Sequence, residues 1–147
     1  STPTLDLTGT RMSDLRFAEA FAKYGAKLKN VQWSVCADAP DGALVVSLWE
    51  HHFEAPKGGK VVCRDRFDRW KGPGNNEFRE KVQRAFSTGQ RVYLVLAHAE
   101  KPDEVQTGAD ASTLRKSFSV REDWVGRVSR IDGEEYEFEF TRRHGEV

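Results

Sequence analysis

The sequence predicts an α+β fold: a single mixed, strongly twisted sheet of five or six strands, able to curl towards a barrel, with two packed helices. Three observations indicate this class. First, 38% of the 147 residues are hydrophobic, which is enough for one core without disulfides or metal ions. Second, residues 43–49 and 91–97 are apolar on both alternating faces, as central strands are. Third, two segments repeat apolar residues at helical spacing.

We expect one domain over residues 1–147, with flexible tails at residues 1–12 and 142–147. No internal repeat or low-complexity segment divides the chain. Charged residues make up 31% of it, which indicates a heavily charged surface around the core.

The first helix is predicted over residues 14–24, where Ser13 can cap the N-terminus and Gly25 the C-terminus. A strand is predicted over residues 31–36, before the turn residues 38–42. The apolar run that follows this turn is the first of the two central strands.

The next strand, residues 60–67, alternates Val62 with charged neighbours, which favours a position near an edge of the sheet. The second helix should begin near Asn75 or Asn76 and end at Gly89. Its apolar stripe consists of Phe78, Val82, Ala85 and Phe86. This helix leads directly into the second central strand.

The last part of the chain predicts a long loop followed by a hairpin. Residues 101–114 are polar and are interpreted as a surface loop. The hairpin pairs residues 124–131 with residues 134–141 across Asp132-Gly133. Its core-facing residues are Tyr136, Phe138 and Phe140.

The distribution of charge is more informative than its total, which is zero. Residues 60–91 contain nine basic and four acidic residues, whereas residues 132–139 contain five acidic and no basic ones. A zero net charge argues against a general polyanion binder, but a dipolar molecule can present one basic face to a nucleic acid.

The two cysteines and the hydropathy of the chain indicate a cytoplasmic protein. Cys36 and Cys63 lie in apolar runs without metal-ligand spacing, which is typical of buried free thiols in a reducing compartment. No apolar stretch approaches the roughly 18 residues of a membrane helix, and we expect no membrane contact.

Neither catalysis nor metal binding is predicted. His51 and His52 are adjacent, and in a strand they would point to opposite faces, so only one could serve a given site. Glu50, Asp65 and Asp68 do not follow the order of a carboxylate-metal nuclease. We therefore assign no catalytic residue, no metal ligand and no cofactor.

The candidate binding site is the junction of residues 64–79, where a charged strand passes through a Gly-Pro-Gly turn into a helix. Its basic and amide side chains could contact phosphates or a base edge, and two tryptophans could flank a base pocket. The predicted nucleic-acid-binding residues are Arg64, Arg66, Arg69, Lys71, Asn75, Asn76 and Arg79. The predicted pocket residues are Trp49 and Trp70.

The same junction resembles a known family. Trp70-x-Gly72-x-Gly74-Asn75, then Phe78, a helix and the strand at residues 92–97, is similar to a segment of the N-terminal modules of McrA-like modification-dependent restriction endonucleases. Such modules read methylated or hydroxymethylated cytosine in DNA, while a separate zinc-bearing nuclease domain cuts. The resemblance implies a DNA-reading domain of a restriction or defence system, with a nuclease domain elsewhere in the full-length protein.

Two other classes of function are also compatible with the sequence. Mixed charges and aromatic residues also suit a protein-binding module, such as a phage or defence inhibitor. A small enzyme acting on a nucleotide or another small molecule is the third interpretation, and a bound metal or a pocket with paired carboxylates would favour it.

Overall fold

The computed structural model describes residues 16–30, 33–106 and 116–142. Within these residues the chain forms one seven-stranded mixed sheet with helices on it, and the sheet is not closed. The α+β class is therefore confirmed, with more strands than the five or six predicted. The predicted N-terminal tail lies outside the described residues.

The helices are α1 (Phe17–Ala22), α2 (Pro73–Thr88) and α3 (Pro102–Gln106). The strands are β1 (Cys36–Asp38), β2 (Leu44–Trp49), β3 (Val61–Arg66), β4 (Val92–Ala99), β5 (Lys116–Val120), β6 (Trp124–Asp132) and β7 (Glu135–Arg142). Two 3-10 turns, Glu50–His52 and Phe67–Arg69, follow β2 and β3 directly.

The sheet has the order β1-β2-β4-β6-β7-β3, so β3 lies at an edge as predicted. β2 and β4 are parallel, and all other pairs are antiparallel. β5 and β6 share one edge of β4: β6 contacts it at Val92, and β5 pairs with its second half. A single bridge between Phe53 and Cys63 connects the segment after β2 to β3.

Each face of the sheet has its own core, because alternate residues of the central strands point to opposite sides. The α2 core contains Leu44 and Leu94 together with Phe78 of α2 and the aromatic residues of β7. The α1 core contains Val45 and Tyr93 together with Phe21 of α1. The two runs that are apolar on both faces are thus central strands, as predicted.

A proline and a glycine explain where α2 begins and where it ends. Pro73 occupies the first helical position, where its missing N–H costs nothing, so the helix begins before the predicted Asn75. Gly89 ends it with φ 71°. Gly74 is also required by packing, because a Cβ there would overlap the carbonyl oxygen of Trp33. The turn before α2 is thereby held close to the segment that precedes β1.

Three local predictions differ from the structure, and one strand was not predicted. Instead of a strand over residues 31–36, the backbone N–H of Ser34 donates to Asn30 in a turn, and the strand begins at Cys36. Arg142, predicted to start a tail, pairs with Trp124 in the sheet, and residues 143–147 of that predicted tail lie outside the described residues. The predicted loop at 101–114 begins with α3, and its residues 107–114 lie outside the described residues. No β5 was predicted, although Phe118 is its buried residue.

The closing hairpin is confirmed with a small shift. Its turn is Gly133-Glu134 rather than Asp132-Gly133, and Gly133 has φ 62°. Ser129 is an extra residue in β6, a bulge between Val128 and Arg130. The aromatic residues of β7 are buried as predicted.

Candidate functional site

The two tryptophans predicted to flank one base pocket lie on opposite faces of the sheet. Trp70 packs against the α2 core, with its ring centroid 6.4 Å from that of Phe78. Trp49 packs against the α1 core beside His51. Because the sheet separates the two indoles, they do not form a common pocket, and this part of the prediction is wrong.

Arg64 and Arg66 are held in ion pairs on the face of β3 that points away from the α2 core. Arg64 donates to Glu137 at 2.7 Å. Arg66 donates to Asp68 at 2.8 Å and to Glu135 at 3.2 Å. Each guanidinium is about half exposed, so it would have to exchange a carboxylate for a phosphate in order to bind nucleic acid.

Arg69 and Arg79 also form ion pairs with carboxylates. The side chain of Arg69 is only 13% exposed and pairs with Asp65 at 2.8 Å. Arg79 donates two hydrogen bonds to Glu134, of 2.9 and 2.6 Å, and this pairing lowers the pKa of Glu134. Arg69 is thus a largely buried side chain held by an ion pair rather than an open surface cation.

The two asparagines of the junction have different environments. Asn75 is 4% exposed, and its amide donates a hydrogen bond of 2.7 Å to the carbonyl oxygen of Phe67. This contact ties α2 to the end of β3 and makes Asn75 a structural residue. Asn76 and Lys71, in contrast, are exposed at the surface.

The N-terminus of α2 carries positive potential at this surface. Gly72 is its N-cap and supplies no capping side chain, and no acidic residue lies in the first turn. Lys71 immediately precedes it, and the partly exposed indole of Trp70 lies beside it. We call Trp70, Lys71, Gly72, Pro73 and Asn76 the exposed junction.

The charge separation seen along the sequence is not kept in the fold. β7, which carries the acidic residues, pairs with the basic β3, so that Arg64 is opposite Glu137 and Arg66 is opposite Glu135. Cross-strand pairs of opposite charge stabilise a sheet by about 0.2–1 kcal/mol each. The predicted basic face is therefore largely an ion-pair ladder.

A second group of polar residues surrounds Asp65, whose side chain is 8% exposed. Arg69 binds this carboxylate, the hydroxyl of Tyr136 donates to it at 3.3 Å, and Nδ1 of His52 lies 3.4 Å away. Burial lowers the pKa of His52 despite the opposing effect of Asp65. We call these four residues the Asp65 network.

The Asp65 network continues into the segments that follow the two parallel strands. Nε2 of His52 lies 2.5 Å from Oε1 of Gln106 in α3, and Nε2 of His51 lies 3.1 Å from the same oxygen. Ligands of sheets with parallel strands typically bind beyond the carboxyl ends of those strands. The sequence interpretation missed this group, because it treated residues 51 and 52 as a strand and residue 106 as loop.

A separate group of three polar side chains lies at the end of β4. His98 contacts Glu50 through Nδ1 and Ser119 through Nε2, both at 2.9 Å. The Glu50 side chain is 61% exposed, so this arrangement is at the surface. Across the described ranges, no three or more His, Cys, Asp or Glu side chains are grouped so as to hold a metal ion.

Comparisons with known proteins add no relative: no protein-family model matches the chain, and neither curated proteins nor solved structures show a significant match. Within the part of the chain that the structure describes, no helix is both long and apolar enough to cross a membrane.

Proposed function

We propose that this domain binds nucleic acid, with DNA as the preferred partner, through the exposed junction. The observation that carries the proposal is the N-terminus of α2, which has neither a capping side chain nor an acidic residue in its first turn and lies next to exposed Lys71. Helix N-termini attract anions such as phosphate.

In this proposal each residue of the exposed junction has one role. Lys71 contacts a phosphate, Asn76 hydrogen-bonds a base edge or the backbone, and Trp70 offers the open part of its ring to a base. Stacking on an aromatic side chain contributes roughly 1–3 kcal/mol per base. Arg64, Arg66 and Arg79 support the strand and the helix through their ion pairs.

The proposed target is a modified cytosine, read for a restriction or defence system in the cytoplasm. The support is the Trp70-x-Gly72-x-Gly74-Asn75 segment, which carries the resemblance to the McrA-like modules and leads into a helix in this chain. The nuclease activity would belong to another domain of the full-length protein. The buried free thiols of Cys36 and Cys63 fit a reducing compartment.

The test is a titration of duplexes that differ only in cytosine modification, at two salt concentrations. Lys71→Ala should weaken binding to all duplexes alike and make the salt dependence shallower by about one phosphate contact. Trp70→Leu, which keeps an apolar group against Phe78, should remove the discrimination between modified and unmodified duplexes.

Lys57→Ala is the matched control, because Lys57 is an exposed lysine in a different turn. It should bind like the wild type. Binding of no duplex or single strand at low salt would overturn the proposal. Equal losses in Lys57→Ala and Lys71→Ala would show that general charge, rather than the exposed junction, causes binding.

A further inference from the structure

His51 and His52 direct the same ring nitrogen towards one point. Nε2 of each lies within hydrogen-bonding distance of Oε1 of Gln106, at 3.1 and 2.5 Å. A strand would place the two rings on opposite faces. Here Glu50–His52 is a 3-10 turn, and the ring centroids are 4.3 Å apart.

The carboxylate of Asp65 lies on the other side of the His52 imidazole, beside Nδ1. The carboxylate lies 3.4 Å from Nδ1, and both side chains are 8% exposed. Arg69 and Tyr136 hold the same carboxylate in place. A carboxylate facing Nδ1 favours the tautomer with the proton there, which leaves a lone pair on Nε2.

That tautomer creates a conflict at Gln106. The lone pair of His52 Nε2 faces a carbonyl oxygen at 2.5 Å, so two acceptors are in contact. The contact is favourable if a cation lies beside both atoms. It is also favourable if the amide is rotated by half a turn, so that its NH₂ group donates to both histidines.

One of the two distances is close to that expected for a shared cation. Two ligand atoms that each lie about 2.1 Å from a tetrahedral metal ion are about 3.4 Å apart. Oε1 of Gln106 lies 3.1 Å from Nε2 of His51, near this value. Its 2.5 Å separation from Nε2 of His52 is too short for two ligands of one ion, so the Gln106 side chain must move away from His52 when the ion binds. The carboxylate behind His52 is the usual partner of a metal-bound imidazole.

We propose that His51, His52 and Gln106 form a binding site for a divalent first-row transition metal ion such as Zn²⁺. The ligands are the two Nε2 atoms and Oε1, with water in the open position. Imidazole nitrogen suits Zn²⁺, Ni²⁺ and Cu²⁺ better than Mg²⁺ or Ca²⁺. The site lies where the segments after β2 and β4 meet, and it is independent of the exposed junction.

The test is calorimetric titration of Zn²⁺ into the full chain after treatment with a chelator. We expect saturable binding of one ion, weakened about tenfold or more in His51→Ala and in His52→Ala. His51→Ala is the cleaner variant, because His52 also belongs to the buried Asp65 network. His98→Ala is the matched histidine control and should bind like the wild type.

A second test uses a substitution that should increase the affinity for Zn²⁺, so that a negative result cannot come from a loss of folding. Gln106→Glu replaces a neutral oxygen ligand by a carboxylate and should bind Zn²⁺ more tightly, by about tenfold. Gln83→Glu, at an exposed position of α2, should have no effect. Histidine ring NMR should show Zn²⁺ shifting Nε2 of His51 and His52 while Nδ1 of His52 stays protonated.

Three results would overturn the site. The first is no saturable Zn²⁺ binding, with both Nε2 atoms accepting hydrogen bonds from a rotated Gln106 amide. The second is undiminished binding in both His51→Ala and His52→Ala. The third is no gain in Gln106→Glu, which would exclude residue 106 from the ligands.

Discussion

At the scale of single residues, Glu77 is a buried acidic side chain in an unfavourable environment. It is 9% exposed, and neither carboxylate oxygen has a hydrogen-bond partner among the residues that the structure describes. The lysine one turn later, Lys81, instead pairs with Asp38 at 2.9 Å. A buried polar group without a hydrogen-bond partner costs folding free energy, so Glu77 weakens the start of α2.

Replacing Glu77 should therefore stabilise the domain. Glu77→Met keeps a similar volume and removes both unpaired oxygens, so the free energy of unfolding should rise by about 1–3 kcal/mol. Urea denaturation at neutral pH measures it. Glu80→Met, at an exposed position of the same helix, should change stability by no more than about 0.5 kcal/mol. A loss of stability in Glu77→Met would show that the carboxylate has a partner.

At the scale of elements, the outer face of β3, β7 and β6 is a ladder of alternating charges. Glu137 accepts hydrogen bonds from Ser129 at 2.7 Å and from Arg64 at 2.7 Å, and both lower its pKa. The Ser129 bulge thus supplies the hydroxyl that completes this contact. The ladder joins the edge strand β3 to the hairpin by side chains as well as by backbone.

The ladder predicts that the free energy of unfolding decreases as the pH falls into the acid range. Because the pKa of Glu137 is lowered by folding, its contribution is present above the ordinary value of 4.5 and is lost as pH falls through the folded value. Glu137→Gln should cost about 1 kcal/mol at neutral pH and less in acid. Denaturation curves at several pH values measure the difference, with the exposed Glu122→Gln as control. A cost that stays constant with pH would contradict the assignment.

At the scale of the whole molecule, one sheet separates two cores, and α1 and α2 cover different faces. Cys36 and Cys63 are both fully buried in the α2 core, although they come from β1 and β3, which lie at the two ends of the strand order. Burial raises the pKa of each thiol far above its ordinary value. Neither is a reactive thiolate in the folded protein.

These two cysteines should report whether the molecule unfolds as a unit. In the native protein a thiol reagent should modify neither, and on addition of denaturant both should react with the same midpoint, since they share one core. Mass spectrometry of the labelled peptides resolves the two sites. Modification of one thiol well before the other would show that β1 or β3 opens separately.

The α+β class, the two central strands, α2 and the hairpin follow from local periodicity, because the spacing of apolar residues determines which face each element buries. Phe78 and Phe138 are core residues for that reason alone. The partners of the charged side chains were decided only by tertiary structure, when β7 came to lie beside β3 and carboxylates reached Arg64 and Arg66. The surroundings of His51 and His52 were also decided by tertiary structure. A 3-10 turn after β2 and a short helix after β4 bring the two rings close to Gln106. The spacing of these residues along the chain does not predict this contact.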